Sequence, residues 1–199
     1  MMKAAPRLSA DQLSITRLVP PGARVLDLGC GDGAMLEHLI RERDCTGYGV
    51  EIDDANVQAC VARGVNVIQL NLDEGLAMFG DASFDVVLQI DTLQHLHNTE
   101  VMLRETARVG RTGIVAFPNF GHWPNRLAVL RGRMPVTKVL PYQWYDTPNI
   151  RVGTLNDFAA LAQKNQLHIL DAFGLQDGQE IRFWPNARAS RAVFKFQHG

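Results

Sequence analysis

Short apolar runs and helix-spaced apolar positions take turns along this chain. Val25, Leu26 and Leu28 form a run of the length expected of a buried parallel strand, and Met35, Leu36, Leu39 and Ile40 then recur at helical spacing. The alternation continues with a strand over 46–50, a helix over 56–63 stopped by Gly64, and strands over 65–70 and 84–90. A helix over 100–109 leads to a strand over 113–117. Ahead of this series, residues 9–18 suit a short amphipathic helix covering one edge of the site, and Pro20-Pro21-Gly22 forces a turn after it. Near the other end, Thr154-Leu155-Asn156-Asp157 reads as a capping box opening a helix with Phe158, Leu161 and Ala162 on its apolar face. A strand over 167–170 follows, and the alternating run 192–196 suits an antiparallel partner near the sheet edge. Repeated β-α-β units predict an α/β, doubly wound sheet with right-handed crossovers, seven strands with the last antiparallel, in one domain over 1–199. Ligands in such sheets bind beyond the carboxyl ends of the strands, and Asp27, Glu51, Asn71 and Gln89 fall at those ends.

The first strand runs into Asp27-Leu28-Gly29-Cys30-Gly31-Asp32-Gly33, a tight turn with glycines at alternate positions. Glycine accepts positive φ and lets a ligand approach the backbone, and the helix that follows offers unpaired N–H groups. Dinucleotide enzymes space these glycines as G-x-G-x-x-G to admit a pyrophosphate. Here the third glycine comes one residue early, and Asp27 stands two residues before the first. A carboxylate there disfavours a pyrophosphate and suits a cationic group, such as the amino group of the methionyl part of S-adenosylmethionine. The pattern resembles motif I of the class I S-adenosylmethionine-dependent methyltransferases, whose sheet is Rossmann-like. Gly29, Cys30 and Gly31 would line the ligand. Glu51, twenty-two residues after Gly29, offers two acceptor oxygens to two ribose hydroxyls; the alternative is a solvated acid in the loop 51–54. The resemblance implies an aspartate near position 71 to accept the adenine amino group. Asn71 stands there, and its amide oxygen, or Asp73 nearby, is left to take that role. Ile52 and Leu72 read either as apolar walls for the adenine or as ordinary core.

A chain of 199 residues, 46% hydrophobic, is long enough for a full core. Its apolar runs are too short for a membrane span and its first residues lack the zones of a secretory signal, so a cytoplasmic location is expected. Cys30, Cys45 and Cys60 are odd in number and form no C-x-x-C, which indicates neither a disulfide framework nor zinc. Cys30 lies in the turn, where the neighbouring Asp32 would raise its pKa. A net charge of −1 argues against a general nucleic-acid binder. The charge is uneven, however: Arg126, Arg131, Arg133, Lys138 and Arg151 face only Asp146 between 121 and 151.

That basic stretch belongs to an insert over 118–151 holding two of three tryptophans, two of three tyrosines and five of nine prolines. Such loops in a compact domain are usually functional, and aromatic and arginine side chains are common hot spots. With Asp91-Thr92-Leu93-Gln94, the insert resembles the methionine biosynthesis family called MetW, from about residue 25 to 173. The resemblance implies a class I methyltransferase-like fold, S-adenosylmethionine or S-adenosylhomocysteine as ligand, and an accessory role in methionine biosynthesis in which the partner, homoserine O-acyltransferase, is supported. Asn71 and His95-Leu96-His97 depart from the pattern. No Asn/Asp-Pro-Pro-Tyr run follows the fourth strand and no Pro-Cys pair occurs, which argues against nucleic-acid substrates.

The alternative function is a methyltransferase acting on a small molecule, with an acceptor pocket of His122, Trp123, Tyr142 and Trp144. His95, His97 and His122 are the available bases, and His122, within the aromatic insert, is the catalytic candidate. Tyr142, Trp144 and Tyr145 line that pocket or pack under the loop, with core packing the reading for at least one. The His-x-His pair has no partner at metal-ligand spacing. A nicotinamide-dependent oxidoreductase fits the fold and fails on the glycine spacing.

Overall fold

A computed structural model describes residues 8–199. The first seven residues, on which the reading of a missing secretory signal rests, lie outside the described ones. Eight strands form one sheet: β1 (Arg24–Leu28), β2 (Thr46–Glu51), β3 (Val67–Gln69), β4 (Phe84–Ile90), β5 (Gly110–Pro118), β6 (Leu167–Gln176), β7 (Gln179–Ile181) and β8 (Arg191–His198). Their order is β3-β2-β1-β4-β5-β8-β6-β7. The first five run parallel to one another, whereas β8 is antiparallel to both β5 and β6. The helices are α1 (Ala10–Thr16), α2 (Ala34–Arg43), α3 (Asp54–Ala62), α4 (Thr99–Val109), α5 (Trp123–Leu130), α6 (Leu155–Lys164) and a short α7 (Pro185–Arg188).

The count of eight corrects the expected seven, and the added strand is β7. It pairs antiparallel with β6 across Asp177-Gly178, both left-handed at φ 50° and 83°, so two strands rather than one run against the rest. Asp-Gly between strands is the dipeptide of a tight hairpin turn. β6 itself runs on to Gln176, well past the predicted end at 170, because Phe173 and Leu175 keep facing the core. Only a single 3₁₀ turn (Leu72–Glu74) stands beside the short β3 on the way to β4. The capping box at Thr154 opens α6 as expected, with Asp157 Oδ2 accepting from the Thr154 N–H at 3.0 Å and Asp157 N–H donating to Thr154 Oγ1 at 3.2 Å.

Strand alternation divides the core into two layers. Val25, Val86, Leu88 and Ile114 face Ile15 of α1 and Leu36 and Leu39 of α2. Leu26, Leu28 and Val87 face Met102 of α4. Farther along that side, Phe117 and Phe194 meet Phe158 of α6, the Phe158 and Phe194 rings lying 4.4 Å apart between centroids. Burial of each such ring stabilises the fold by about 2–3 kcal/mol. α1 is fastened at its far end to the β7 hairpin: Gly178 N–H donates to Asp11 Oδ1 at 2.6 Å and Ser14 Oγ donates to the Gly178 carbonyl at 2.6 Å. The sheet order reverses at β1, so the loops after β1 and β4 flank a crevice at the carboxyl end of the sheet.

Candidate ligand site at the glycine turn

Three segments meet at this crevice: the turn after β1, the end of β2, and Asp91-Thr92 after β4. Gly29, Gly31 and Gly33 are all left-handed, with φ of 71°, 56° and 77°. Their surroundings differ. A Cβ on Gly29 would come 2.5 Å from Thr92 Oγ1, so this glycine lets the two loops close on each other. Thr92 Oγ1 donates to the Leu28 carbonyl at 2.7 Å and locks that closure. A Cβ on Gly31 would meet nothing within 4 Å, so the backbone there borders open space that a ligand can enter.

Glu51 is buried, which removes the reading of a solvated loop acid. Its carboxylate collects three backbone donors: Gly31 N–H on Oε2 at 2.8 Å, and the Ile52 and Asp53 N–H groups on Oε1 at 2.8 and 3.0 Å. A carboxylate has about four acceptor sites, so roughly one, on Oε2, is left for a ligand. The other loop acids are occupied: Asp53 caps α3 through Asn56 N–H at 3.0 Å, and Asp54 accepts from Gln69 Nε2.

Asp27 sits 3% exposed on the α2 side of β1. Burial, and secondarily the charge of Glu51, push its pKa up to about 7, and among the described residues no hydrogen bond or cation offsets its charge. A buried carboxylate in this state favours a cation or proton donor from outside the chain. Cys30 adds only its backbone to the turn. Its thiol points to Gly49 and lies 3.7 Å from the thiol of Cys60. Burial and then Asp27 push its pKa up. The upward direction agrees with the sequence reading but the source does not, because Asp32 is turned to Arg63 at 2.6 Å.

The remaining predicted residues spread out. Ile52 is 59% exposed beside Glu51, open to a flat apolar ligand, whereas Leu72 is buried with Leu76 and Val87. Asn71 Oδ1 accepts from Asp73 N–H at 3.1 Å, capping the 3₁₀ turn with one of its two lone pairs. Asp73 is no free substitute, since His97 Nδ1 at 2.9 Å and the backbone N–H groups of His97 and Asn98 hold it; the His97 bond leads in lowering its pKa. Gln89 alternates onto the other face, is fully buried, and donates to Thr106 of α4, so its side chain lies away from the turn.

Of the aromatic residues named with it, His122 meets Trp123 edge to face, the ring centroids 6.4 Å apart. It lines a cleft with Asp11, Lys138 and Asp177, where burial lowers its pKa. Trp123, Tyr142, Trp144 and Tyr145 are exposed, the last two above 70%, so none of them packs as core. The basic residues of the insert are partly spoken for, with Lys138 paired to Asp177 at 3.1 Å and Arg151 bonded to the Ile150 and His97 carbonyls. Sequence reasoning quoted Asp91 and Thr92 only within a family resemblance and gave neither a part in the site; Asp91 is left-handed at φ 57° and ion-paired to Arg191, which in turn reaches Asp11 at 3.4 Å. The signal for Thr92 is its place two residues past the end of β4; Arg191 carries none, because β8 brings it in from far along the chain.

The architecture is that of solved S-adenosylmethionine-dependent methyltransferases. A possible histamine N-methyltransferase from Thermotoga maritima superposes with a TM-score of 0.67 over 95% of this chain and 88% of that one, at 18% identity. A TehB-like protein from Corynebacterium glutamicum gives 0.66 over 98% and 90%, at 16% identity. Residues 9–196 match the family described as methionine biosynthesis protein MetW, and the chain belongs to that family. A bifunctional methionine biosynthesis protein MetXA/MetW from Rhodopirellula baltica is 37% identical over 95% of this chain, which spans 33% of that relative. A 2-methyl-6-phytyl-1,4-hydroquinone methyltransferase from Synechocystis is 28% identical over 81% of this chain and 49% of its own length. The chain thus spans a third to a half of these two relatives. Among the described residues, no helix is long and apolar enough to cross a membrane.

Asp27 supplies a prediction of defined sign. The folded chain holds its proton to about pH 7, whereas an unfolded chain releases it near 4, so Asp27 opposes folding increasingly as pH rises through this window and levels off above it. Urea unfolding of Asp27→Asn beside the parent, without ligand, is expected to show the variant gaining about 2–3 kcal/mol relative to the parent between pH 5 and pH 8. A difference that does not change with pH would contradict this.

Proposed function

We propose that this chain binds S-adenosylmethionine or S-adenosylhomocysteine at the glycine turn and acts as a methyltransferase-like accessory protein that supports homoserine O-acyltransferase in methionine biosynthesis. The observation that carries the ligand is Asp27, a buried carboxylate with no partner among the described residues, beside an open Gly31. In this reading Asp27 receives the methionyl amino group, the open site on Glu51 Oε2 receives a ribose hydroxyl, and Ile52 covers one face of the adenine. Asn71 is left one lone pair for the adenine amino group, and Leu72 supports the wall from beneath. The backbone of Gly29, Cys30 and Gly31 forms the floor, and Gln89 has no part. Bound there, the ligand supplies a sulfonium methyl or, once demethylated, only a nucleoside to be sensed.

Support for the partner comes from the Rhodopirellula baltica relative, whose name joins MetXA and MetW on one chain. Functions fused in one organism commonly reside in docking chains in another. We assign the docking surface to the insert 118–151, in which Trp123, Trp144, Tyr145, Arg131 and Arg133 are all exposed. Exposed aromatic and arginine side chains are the usual anchors of an interface. Methyl transfer to a small molecule is the second reading, favoured by the methyltransferase name of the Synechocystis relative.

Two experiments test these assignments. Calorimetric titration with S-adenosylhomocysteine should show Glu51→Ala binding weaker by about 1.5–3 kcal/mol, with the variant's melting checked because Glu51 also holds three backbone donors. Unchanged affinity removes Glu51 from the site. Homoserine O-acyltransferase from the same source should gain activity when this purified chain is added, and Trp144→Ala with Tyr145→Ala should each weaken the association by more than about 1 kcal/mol. No gain and no co-purification, with methylated product formed from a metabolite extract, would move the function to the second reading.

A further inference from the structure

From 131 to 152 the chain forms neither helix nor strand, and the second half of this stretch, 141–152, carries the exposed rings of Tyr142, Trp144 and Tyr145. Such a strap needs outside support to hold one arrangement. Among the described residues, every hydrogen bond that 141–152 makes to the rest of the chain goes to Gln94, His95 or His97. The Ile150 and Arg151 N–H groups donate to the Gln94 carbonyl at 3.0 and 3.1 Å. The Arg151 guanidinium donates to the His97 carbonyl at 3.1 Å, and the Pro148 carbonyl lies 3.0 Å from His95 Nδ1.

The segment that supports the strap begins as a wall of the ligand crevice. Thr92 Oγ1 donates to the Leu28 carbonyl of the glycine turn and packs where a Cβ on Gly29 would stand. Two bonds tie this wall to the support: Gln94 Nε2 donates to the Asp91 carbonyl at 2.9 Å, and the His95 N–H donates to the Thr92 carbonyl at 3.0 Å. A single 3₁₀ turn, Leu93–His95, is thus all that lies between crevice and strap. Asp91 gives the segment a second state. Its backbone is left-handed at φ 57°, a conformation that costs a residue with a side chain, and the Arg191 ion pair and the Gln94 bond help to hold it there. Once that hold is released, 91–94 can relax and the strap loses its anchor.

We propose that the segment 91–97 transmits occupancy of the glycine turn to the strap, with Gln94 as the relay. An adenosyl ligand seated against Asp91 and Thr92 holds that wall in place, and through Gln94 it holds the backbone at 150–151. Without the ligand the strap opens locally more often, and the face that carries Trp144 and Tyr145 loses its fixed shape. Ligand supply therefore sets how much of the chain is ready to dock, because the ligand favours one of two arrangements over the other. The relay presupposes the adenosyl ligand proposed above and nothing about the partner's identity.

S-adenosylhomocysteine is first titrated into the full chain by calorimetry, and amide exchange is then followed by NMR with the ligand saturating and absent. Exchange at Ile150 and Arg151 is expected to slow by about fivefold or more. The amides of Asn165 and Gln166 serve as the reference, since they bond at the end of α6, before β6 and at the opposite end of the sheet from the crevice. Gln94→Leu removes the bond to the Asp91 carbonyl and the buried Oε1 that has no partner among the described residues. This variant should still bind S-adenosylhomocysteine and lose the extra slowing at 150 and 151. No binding to the parent overturns both the ligand reading and the relay. Binding without slowing at 150 and 151, or with equal slowing at 165 and 166 as global stabilisation by a ligand would give, overturns the relay alone. Full extra slowing retained in Gln94→Leu also overturns it. If Gln94→Leu does not fold or bind, the comparison within the parent still decides.

Discussion

Three backbone N–H groups converge on the carboxylate of Glu51, and the geometry of the crevice depends on that convergence. One of them belongs to Gly31 in the turn after β1, the other two to the chain as it leaves β2. A single side chain therefore fixes two loops relative to each other. The same charge raises the pKa of Asp27, which burial has already lifted, so the acid that shapes the turn also keeps its neighbour short of a counter-charge. Thr92 closes the third side through the Leu28 carbonyl and depends on the missing Cβ of Gly29. The result is a preorganised rim with one unsatisfied demand, for a positive or proton-donating group.

Much of this was legible in the sequence. The β-α alternation, the glycine spacing and the acid at the end of the second strand report local chemistry, and local chemistry survives folding. Asp27 and Glu51 were recognisable because each follows an apolar run at the place where a parallel strand ends. Gln89 shows where that reasoning stops: its position in β4 is also near the end, but side chains alternate across a sheet and the register turns it toward α4. Asn71 and Asp73 were ambiguous for a related reason. Asn71, a short polar side chain, bonds the adjacent backbone at Asp73, whereas Asp73 is taken up by the backbone of His97, far along the chain. The β7 hairpin had a signal in Asp177-Gly178, whereas the ion pair of Asp91 with Arg191 had none, since it joins residues a hundred positions apart.

The insert gives a contrasting lesson. Aromatic and proline content marked it as functional, and the expectation that at least one ring would pack as core followed from the energetics of burying an aromatic. The rings instead stand out from the surface, Trp144 at 72% and Tyr145 at 71%. Backbone hydrogen bonds to Gln94 and to Ser190 just before β8, with polar side chains such as Asn119, Lys138 and Arg151, hold the insert, and its exposed aromatic side chains do not. A loop anchored this way leaves its largest apolar groups available, which is the physical basis for assigning the partner surface to it.

In the function proposed, Asp27 receives the amino group of an adenosyl ligand. The most direct measurement compares S-adenosylmethionine with 5′-methylthioadenosine, which lacks the amino-acid portion, by calorimetry at pH 6 and pH 8. S-adenosylmethionine is expected to bind more tightly at both values, its advantage widening at pH 8, where Asp27 is ionised. Equal affinities for the two ligands at both pH values, or no binding of either, would contradict it.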